Sequence, residues 1–296
     1  MTIKLYQLVL FGSPQFYSFP WKPLLNAAIG DSYSVARAHF TPHHATRANL
    51  ALHFLCMVVQ LTGNFCLLAL LDATLSDGRP LSLATALLWS LHLLLGATTV
   101  PVSCNMSAVA SILIAYATAP TLLEVPTVLT LVPVVAFCVV ALAYGFLSSG
   151  TLTAAAAAQA TGLLVFLHGF WWCLDAVERS VEDVYGWNVL FFTVLVALAL
   201  LKNPAVPTVV FGSVIGRSVA VWTRQPLLFY YCYGYFGALM QGIAHRITKE
   251  QATLLALEQE TSNDKVRYEF AHVTYFPTLV FESIFEAIQR PESKRS

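Results

Sequence analysis

The chain is short of charged residues. Asp, Glu, Lys and Arg make up only 11% of its 296 residues, whereas a soluble domain carries about 25%. Hydrophobic residues reach 57%, and the mean hydropathy is +0.67. A soluble globule could not keep so much apolar surface away from water, so the composition predicts an integral membrane protein. It also excludes disordered, collagen-like and coiled-coil chains.

Excess positive charge and the common catalytic motifs are also missing. Sixteen basic residues balance sixteen acidic ones, so we expect no nucleic-acid partner. The six cysteines lie at least ten residues apart, which excludes the close Cys-x-x-Cys pairs of zinc sites. The GxSxG, HExxH and GxxxxGK[ST] motifs do not occur, and neither does the eight-histidine pattern of membrane desaturases. No internal repeat is evident, which disfavours an inverted-repeat transporter.

Long uncharged runs are abundant instead. A helix that crosses a bilayer needs about 20 mostly apolar residues, and irregular backbone is not tolerated against lipid. The candidate runs are 49–71, 81–123 with a break near Pro101, 125–174 divided at 148–150, 187–201, 205–221, 225–244 and 270–288. The sequence therefore predicts an all-α fold, a polytopic transmembrane helical bundle of about seven spans.

Three regions are predicted along the chain. Residues 1–48 contain Trp21, other aromatic residues and several basic ones, which is typical of a segment at the membrane interface. Residues 49–288 are predicted to form a single transmembrane helical domain, in which a polar hairpin at 246–269 joins the last two spans. Residues 289–296 form a polar tail.

Histidine is unevenly distributed. Four of the eight histidines crowd the start of the first predicted span: His39, His43, His44 and His53. His245 and His272 flank the polar hairpin. Ionisable groups at membrane depth are costly and often functional. For His92 and His168, which lie alone in apolar runs, a neutral structural role within the bundle is the favoured interpretation.

Polar partners stand at helical spacing from three of these histidines. The pairs are Asn49 with His53, Gln241 with His245, and Glu269 with His272. Imidazole and carboxylate ligands suit iron or zinc, and a Glu-x-x-His pair recurs in helical di-iron sites. The pattern indicates a metal site at the membrane interface. The spacing alone leaves open that residues 41–44 form an interfacial turn and that the C-terminal residues are solvated.

Two motifs resemble those of a known enzyme family. His44, Asn49 and His53 form H-x4-N-x3-H, and Gln241 and His245 form Q-x3-H. Both are similar to motifs of the 2-hydroxy fatty acid dioxygenase family. Its members are small membrane enzymes, and those of fungi act in the endoplasmic reticulum on fatty acids derived from phytosphingosine.

The C-terminal part extends the resemblance and also departs from it. Residues 276–282 are similar to a family helix that carries a proline and a glutamate. Ala244 stands where the family usually has glycine. Lys249 stands where the family has an acidic residue, and Glu250 follows one place later. The middle of the chain is longer than in compact members.

The resemblance implies an Fe(II)-dependent α-oxidation, in which O2 and a 2-hydroxy fatty acid yield an acid one carbon shorter. For one or two iron ions, with zinc as the alternative metal, the proposed ligands are His44, His53, His245, His272 and Glu269. The proposed catalytic residues are Asn49, Gln241 and Glu250. In a membrane of the endoplasmic reticulum, the partners would be the lipid substrate, O2 and the bilayer.

Helix geometry adds two expectations about this site. His44 and His53 are nine residues apart and would face opposite ways on a continuous helix, so His44 is expected to precede the helix. His245 and Glu250 are five residues apart, or about 140° on a regular helix, so the helix is expected to end or bend between them. The resemblance further implies that His44, His53 and His245 converge on one site although the chain separates them widely.

Two other classes of function stay open at this point. A non-enzymatic carrier of lipids or small solutes could use its histidines for structure or for proton relay. A zinc-dependent membrane lipid hydrolase could use a related metal scaffold. Bound metal separates the carrier from the enzymes, and oxygen dependence separates the two enzymes.

Overall fold

The computed structural model describes residues 22–124, parts of 132–144, 226–250 and 262–289. Within these residues every regular element is helical, which confirms the all-α class. The main helices, numbered in chain order, are α1 (Lys22–Ile29), α2 (Tyr33–Phe40), α3 (Arg47–Leu75), α4 (Pro80–Gly96), α5 (Val102–Glu124), α6 (Pro226–Ile247) and α7 (Ser262–Gln289). A short 3-10 helix at Thr41–His43 follows α2.

Two of the described helices are long and apolar enough to cross a bilayer: α3 with 29 residues and α5 with 23. The helix between them, α4, is apolar but has only 17 residues. The chain leaves helical conformation at residues 97–101, close to the break predicted near Pro101. Most of the predicted spans between 125 and 221 lie outside the described residues, so the count of about seven spans stays a prediction.

Side-chain caps define the start of α3 and the start of α4. The Thr46 hydroxyl accepts a hydrogen bond from the backbone N–H of Asn49 at 3.2 Å, which is the usual contact of an N-cap threonine. The Asp72 carboxylate accepts hydrogen bonds from the backbone N–H groups of Leu81 at 2.8 Å and Ser82 at 2.9 Å. Because a helix N-terminus attracts negative charge, Asp72 stabilises the turn that leads from α3 into α4.

The backbones of α3 and α6 pack closely against each other. Gly63 of α3 faces Gly234 of α6, and a Cβ atom added at Gly63 would lie 2.6 Å from the backbone nitrogen of Gly234. A Cβ added at Gly237 would lie 3.0 Å from the carbonyl oxygen of Cys56. Small residues let helix backbones pack this tightly. The contact brings the end of α6 to the beginning of α3.

The N-terminal helix α2 is anchored to α7 by a polar cluster. Arg37 donates hydrogen bonds to Glu282 at 2.7 Å and to Glu286 at 2.5 Å, and the Tyr33 hydroxyl donates to Glu282 at 2.6 Å. The described part of the predicted interfacial segment, residues 22–48, therefore packs on the C-terminal helix. Residues 1–21 lie outside the described residues.

The final helix begins inside the predicted polar hairpin. Residues 262–269 already belong to α7, so the second arm of the hairpin is helical. The first arm is the end of α6 and the turn that follows it at residues 248–249. Residues 251–261 and residues 290–296 of the polar tail lie outside the described residues.

Candidate metal centre

Three buried histidines form a compact group. One ring nitrogen from each of His44, His53 and His245 lies within 4.8 Å of the others. The ring centroids are 4.4 Å apart for His44 and His53, 4.7 Å for His44 and His245, and 4.8 Å for His53 and His245. The three side chains are at most 5% exposed. The expected convergence of these histidines is therefore present in the structure.

Three separate pieces of the chain supply the group. His44 follows the 3-10 helix and precedes α3, as its spacing from His53 requires. His53 lies in the second turn of α3. His245 lies in the last turn of α6. Their meeting depends on the packing of α3 against α6 and on the tight turn that links α2 to α3.

A backbone carbonyl orients each imidazole. The Nδ1 atom of His44 lies 2.6 Å from the carbonyl oxygen of Phe40, and Nδ1 of His53 lies 2.9 Å from that of Asn49. The Nδ1 atom of His245 lies 3.0 Å from the carbonyl oxygen of Glu250. Because a carbonyl oxygen only accepts, each Nδ1 carries the proton and donates it. Each neutral ring is left with its lone pair on Nε2, the arrangement found behind metal-binding histidines.

The shortest contact in the group fits a shared metal ion. The Nε2 atoms of His44 and His53 lie 3.1 Å apart, and two neutral rings held in this tautomer would direct their lone pairs at each other. Two nitrogens bound to one Fe or Zn ion at about 2.0–2.1 Å would lie roughly 2.9–3.4 Å apart at tetrahedral or octahedral angles. A cation bound between these two Nε2 atoms would remove the repulsion, so this pair of histidines fits a metal.

Burial keeps His44 neutral. Removal from water lowers the pKa of His44 well below its usual range, and the neighbouring His53 and His245 lower it further. The ring of Phe40 stacks on that of His44 with centroids 3.5 Å apart and planes 5° from parallel. An imidazole without a proton on Nε2 is the form that binds metal.

Comparison with known proteins gives no further information about this site. No family model, curated protein or solved structure matches the chain. Membership of the 2-hydroxy fatty acid dioxygenase family therefore stays a prediction carried by the two motifs.

Asn49 and Glu250 lie beside the histidines. The Asn49 side-chain amide donates a hydrogen bond to the Glu250 carboxylate at 2.5 Å and another to the carbonyl oxygen of His43 at 3.1 Å. The same amide nitrogen lies 3.5 Å from Nδ1 of His245. The expected helix end between His245 and Glu250 is present, since α6 stops at Ile247. The structure thus places both predicted residues next to Nδ1 of His245.

The remaining predicted residues are placed less closely. His272 of α7 lies beside Phe40 and Phe276, with its ring centroid 5.7 Å from that of Phe40 and 5.5 Å from that of Phe276. Gln241 is half-buried on α6, one turn before His245. The Glu269 side chain lies outside the described residues. The roles of His272, Gln241 and Glu269 as ligands or catalytic groups stay predictions.

The structure also shows contacts that the motifs did not indicate. Phe40 supplies both the ring that stacks on His44 and the carbonyl that orients it. Its position four residues before His44 is the same spacing that places Asn49 before His53. Because every histidine has a backbone carbonyl four residues earlier, this spacing is not a signal that sequence reasoning could have used.

Proposed function

We propose that the chain is a membrane-embedded non-haem iron dioxygenase that shortens 2-hydroxy fatty acids by one carbon. The observation that carries the proposal is the buried group of three histidines, His44, His53 and His245, which have one ring nitrogen each within 4.8 Å of the others and each have Nδ1 held by a backbone carbonyl. The two motifs that contain these histidines supply the expected substrate class. The reaction balances when one O2 and one 2-hydroxy acid give the shorter acid, carbon dioxide and water.

The proposed setting is a membrane. The α4 residues Leu83, Leu87, Leu91 and Leu95 recur every four positions and are 43–68% exposed, which is the pattern of a helix face turned toward lipid. His53 lies close to the start of α3, a helix long enough to span. This position suits a lipid whose polar head enters the site while its tail lies among the helices or in the bilayer. A multi-pass protein of the endoplasmic reticulum follows from the resemblance.

The chain would provide binding, orientation and exclusion of water. His44, His53 and His245 would hold the iron, which would supply reactivity toward O2 and leave positions open for substrate. All three imidazoles are neutral ligands, so the site favours an anionic substrate such as a 2-hydroxy carboxylate. Phe40 and Phe276 lie with their ring centroids 6.3 Å from that of His53 and keep water from that side of the site.

A second candidate is a zinc-dependent lipid hydrolase. Three histidines with an open position are also the ligand set of some catalytic zinc sites. The group found here contains three histidines and no carboxylate among the described residues. Donor atoms alone therefore fit either metal, and oxygen dependence is the distinguishing property.

A product assay tests the proposal. The purified chain in detergent, loaded with Fe(II), is given O2 and a 2-hydroxy fatty acid, and mass spectrometry measures the acid one carbon shorter. The same acid without its hydroxyl is the control substrate, and His53→Ala is the control variant. We expect the shorter acid only from the hydroxy acid and wild-type protein. Ester or amide hydrolysis with Zn(II) and without O2 would favour the hydrolase, and no reaction with either metal would favour a carrier.

A further inference from the structure

Glu250 contacts both parts of the chain that supply the three histidines: the end of α6, which carries His245, and the segment that carries His44 and His53. Its main-chain carbonyl accepts the hydrogen bond from Nδ1 of His245 at 3.0 Å. Its carboxylate accepts hydrogen bonds from the backbone N–H of Ala45 at 3.2 Å, the backbone N–H of Thr46 at 2.8 Å and the side-chain amide of Asn49 at 2.5 Å. One residue thus links the end of α6 to the segment between His44 and His53.

The backbone just before Glu250 makes this double contact possible. Lys249 has a φ angle of 61°, which places it in the left-handed region that commonly ends a helix. The chain therefore reverses after Ile247 instead of continuing along the axis of α6. The reversal returns Glu250 toward the beginning of α3.

We infer that Glu250 is a positioning residue that assembles the metal centre. Both carboxylate oxygens already accept hydrogen bonds from the start of α3, Oε1 from Thr46 and Oε2 from Ala45 and Asn49. Negative charge at a helix N-terminus is stabilising, so the carboxylate holds His53 and His44 at the distance that His245 requires. The inference rests on the proposed three-histidine metal centre and is independent of the reaction proposed there.

The chain offers a matched control for the loss of a carboxylate cap. Asp72 holds the start of α4 with both of its oxygens, through the backbone N–H groups of Leu81 and Ser82. Glu250 likewise uses both oxygens, to hold the two residues before α3 and the Asn49 side chain. Asp72 lies near the opposite end of α3 from the histidines. Asp72→Asn therefore removes one negative charge from a helix N-terminus without touching the metal ligands.

Cobalt(II) binding to the full chain in detergent tests the inference. We expect Glu250→Gln to weaken cobalt affinity by about 10- to 100-fold, the usual effect of losing a group that orients ligands. At saturating cobalt its visible absorption spectrum should match that of wild-type protein, because the three nitrogen ligands remain. Asp72→Asn should bind cobalt like wild-type protein. Should Glu250→Gln fail to fold, Glu250→Asp, which is one methylene shorter, gives the same comparison.

Three results would overturn the inference. Equal cobalt affinity for Glu250→Gln and Asp72→Asn would show that the cap does not position the ligands. A changed spectrum at saturation would make Glu250 a ligand instead. Failure of wild-type protein to bind cobalt, iron or zinc would remove the metal centre and this inference together, whereas cobalt binding without fatty acid oxidation would remove only the proposed reaction.

Discussion

The contact between Gly63 and Gly234 provides a test of how the fold builds the metal centre. Gly63→Ala adds a Cβ atom only 2.6 Å from the Gly234 nitrogen and 2.7 Å from its Cα atom. Both atoms belong to the backbone, so no side-chain rotation can relieve the overlap. The helices α3 and α6 must move apart or tilt.

The size of the movement follows from ordinary contact distances. Van der Waals contact begins at 3.4 Å, so the added Cβ is short by about 0.8 Å. Overpacking of this kind costs about 1–3 kcal/mol of unfolding free energy. Gly63 lies ten residues from His53, about 15 Å along the helix axis. Metal–ligand distances tolerate only about 0.2 Å of error, so a shift of this size at His53 relative to His245 should weaken metal binding.

Alanine substitution of Gly234, the glycine on the other side of this contact, supplies the control. A Cβ added at Gly234 would meet its nearest atom, Oδ1 of Asn64, at 3.5 Å, and one added at Gly242 would meet nothing within 4 Å. Alanine at either position should therefore preserve stability, helped by the better helix propensity of alanine, which contributes up to about 1 kcal/mol.

Thermal unfolding in detergent and cobalt titration measure the two effects. We expect Gly63→Ala to unfold at lower temperature and to bind cobalt more weakly than Gly234→Ala. If Gly63→Ala matched Gly234→Ala and wild-type protein in both measurements, the helix contact would not control the site and the reasoning would be refuted.

The contacts around the site also predict the outcome of three further substitutions. Asn49→Ala should weaken cobalt affinity by about 10- to 100-fold without abolishing it, because Asn49 holds Glu250 beside His245 but is not a ligand. If the variant bound cobalt with wild-type affinity in a titration, Asn49 would not belong to the site. Glu282→Gln should lower the unfolding free energy by about 1–2 kcal/mol, since Arg37 loses a charged partner that is only partly exposed to water; unchanged thermal unfolding would contradict this. His272→Ala should abolish metal binding or oxidation turnover, because His272 is a predicted ligand; full metal content with full turnover would remove it from the site.

The spacing of residues along the chain was enough to predict how the candidate ligands His44 and His53 lie relative to each other. The four-residue interval between Asn49 and His53 and the nine-residue interval to His44 follow from helix geometry, which holds wherever the chain is helical. The turn before α3 was accordingly expected, because His44 cannot share a helix face with His53. The split of 81–123 into two helices followed from the same kind of local reasoning, since Pro101 interrupts the apolar run.

Contacts between distant segments were not predictable in the same way. Periodicity shows which face of α3 is apolar, but it does not show that Gly63 meets Gly234. The cap that Glu250 forms on α3 is equally hidden, because it depends on the left-handed conformation of Lys249 at the end of another helix. The sequence left Glu250 open between solvation and catalysis, and the structure adds that its carboxylate accepts hydrogen bonds from the backbone N–H groups of Ala45 and Thr46, just before α3.

The proposed metal centre requires that His44, His53 and His245 bind one metal ion. Elemental analysis of wild-type protein purified without oxygen and supplied with Fe(II) tests it most directly. His92→Ala is the control, because His92 bonds to Asn26 on α1 and lies outside the group. We expect bound iron in wild-type protein and in His92→Ala, and its loss in His53→Ala and His245→Ala. Equal metal content in all four proteins, or none in wild-type protein, would contradict it.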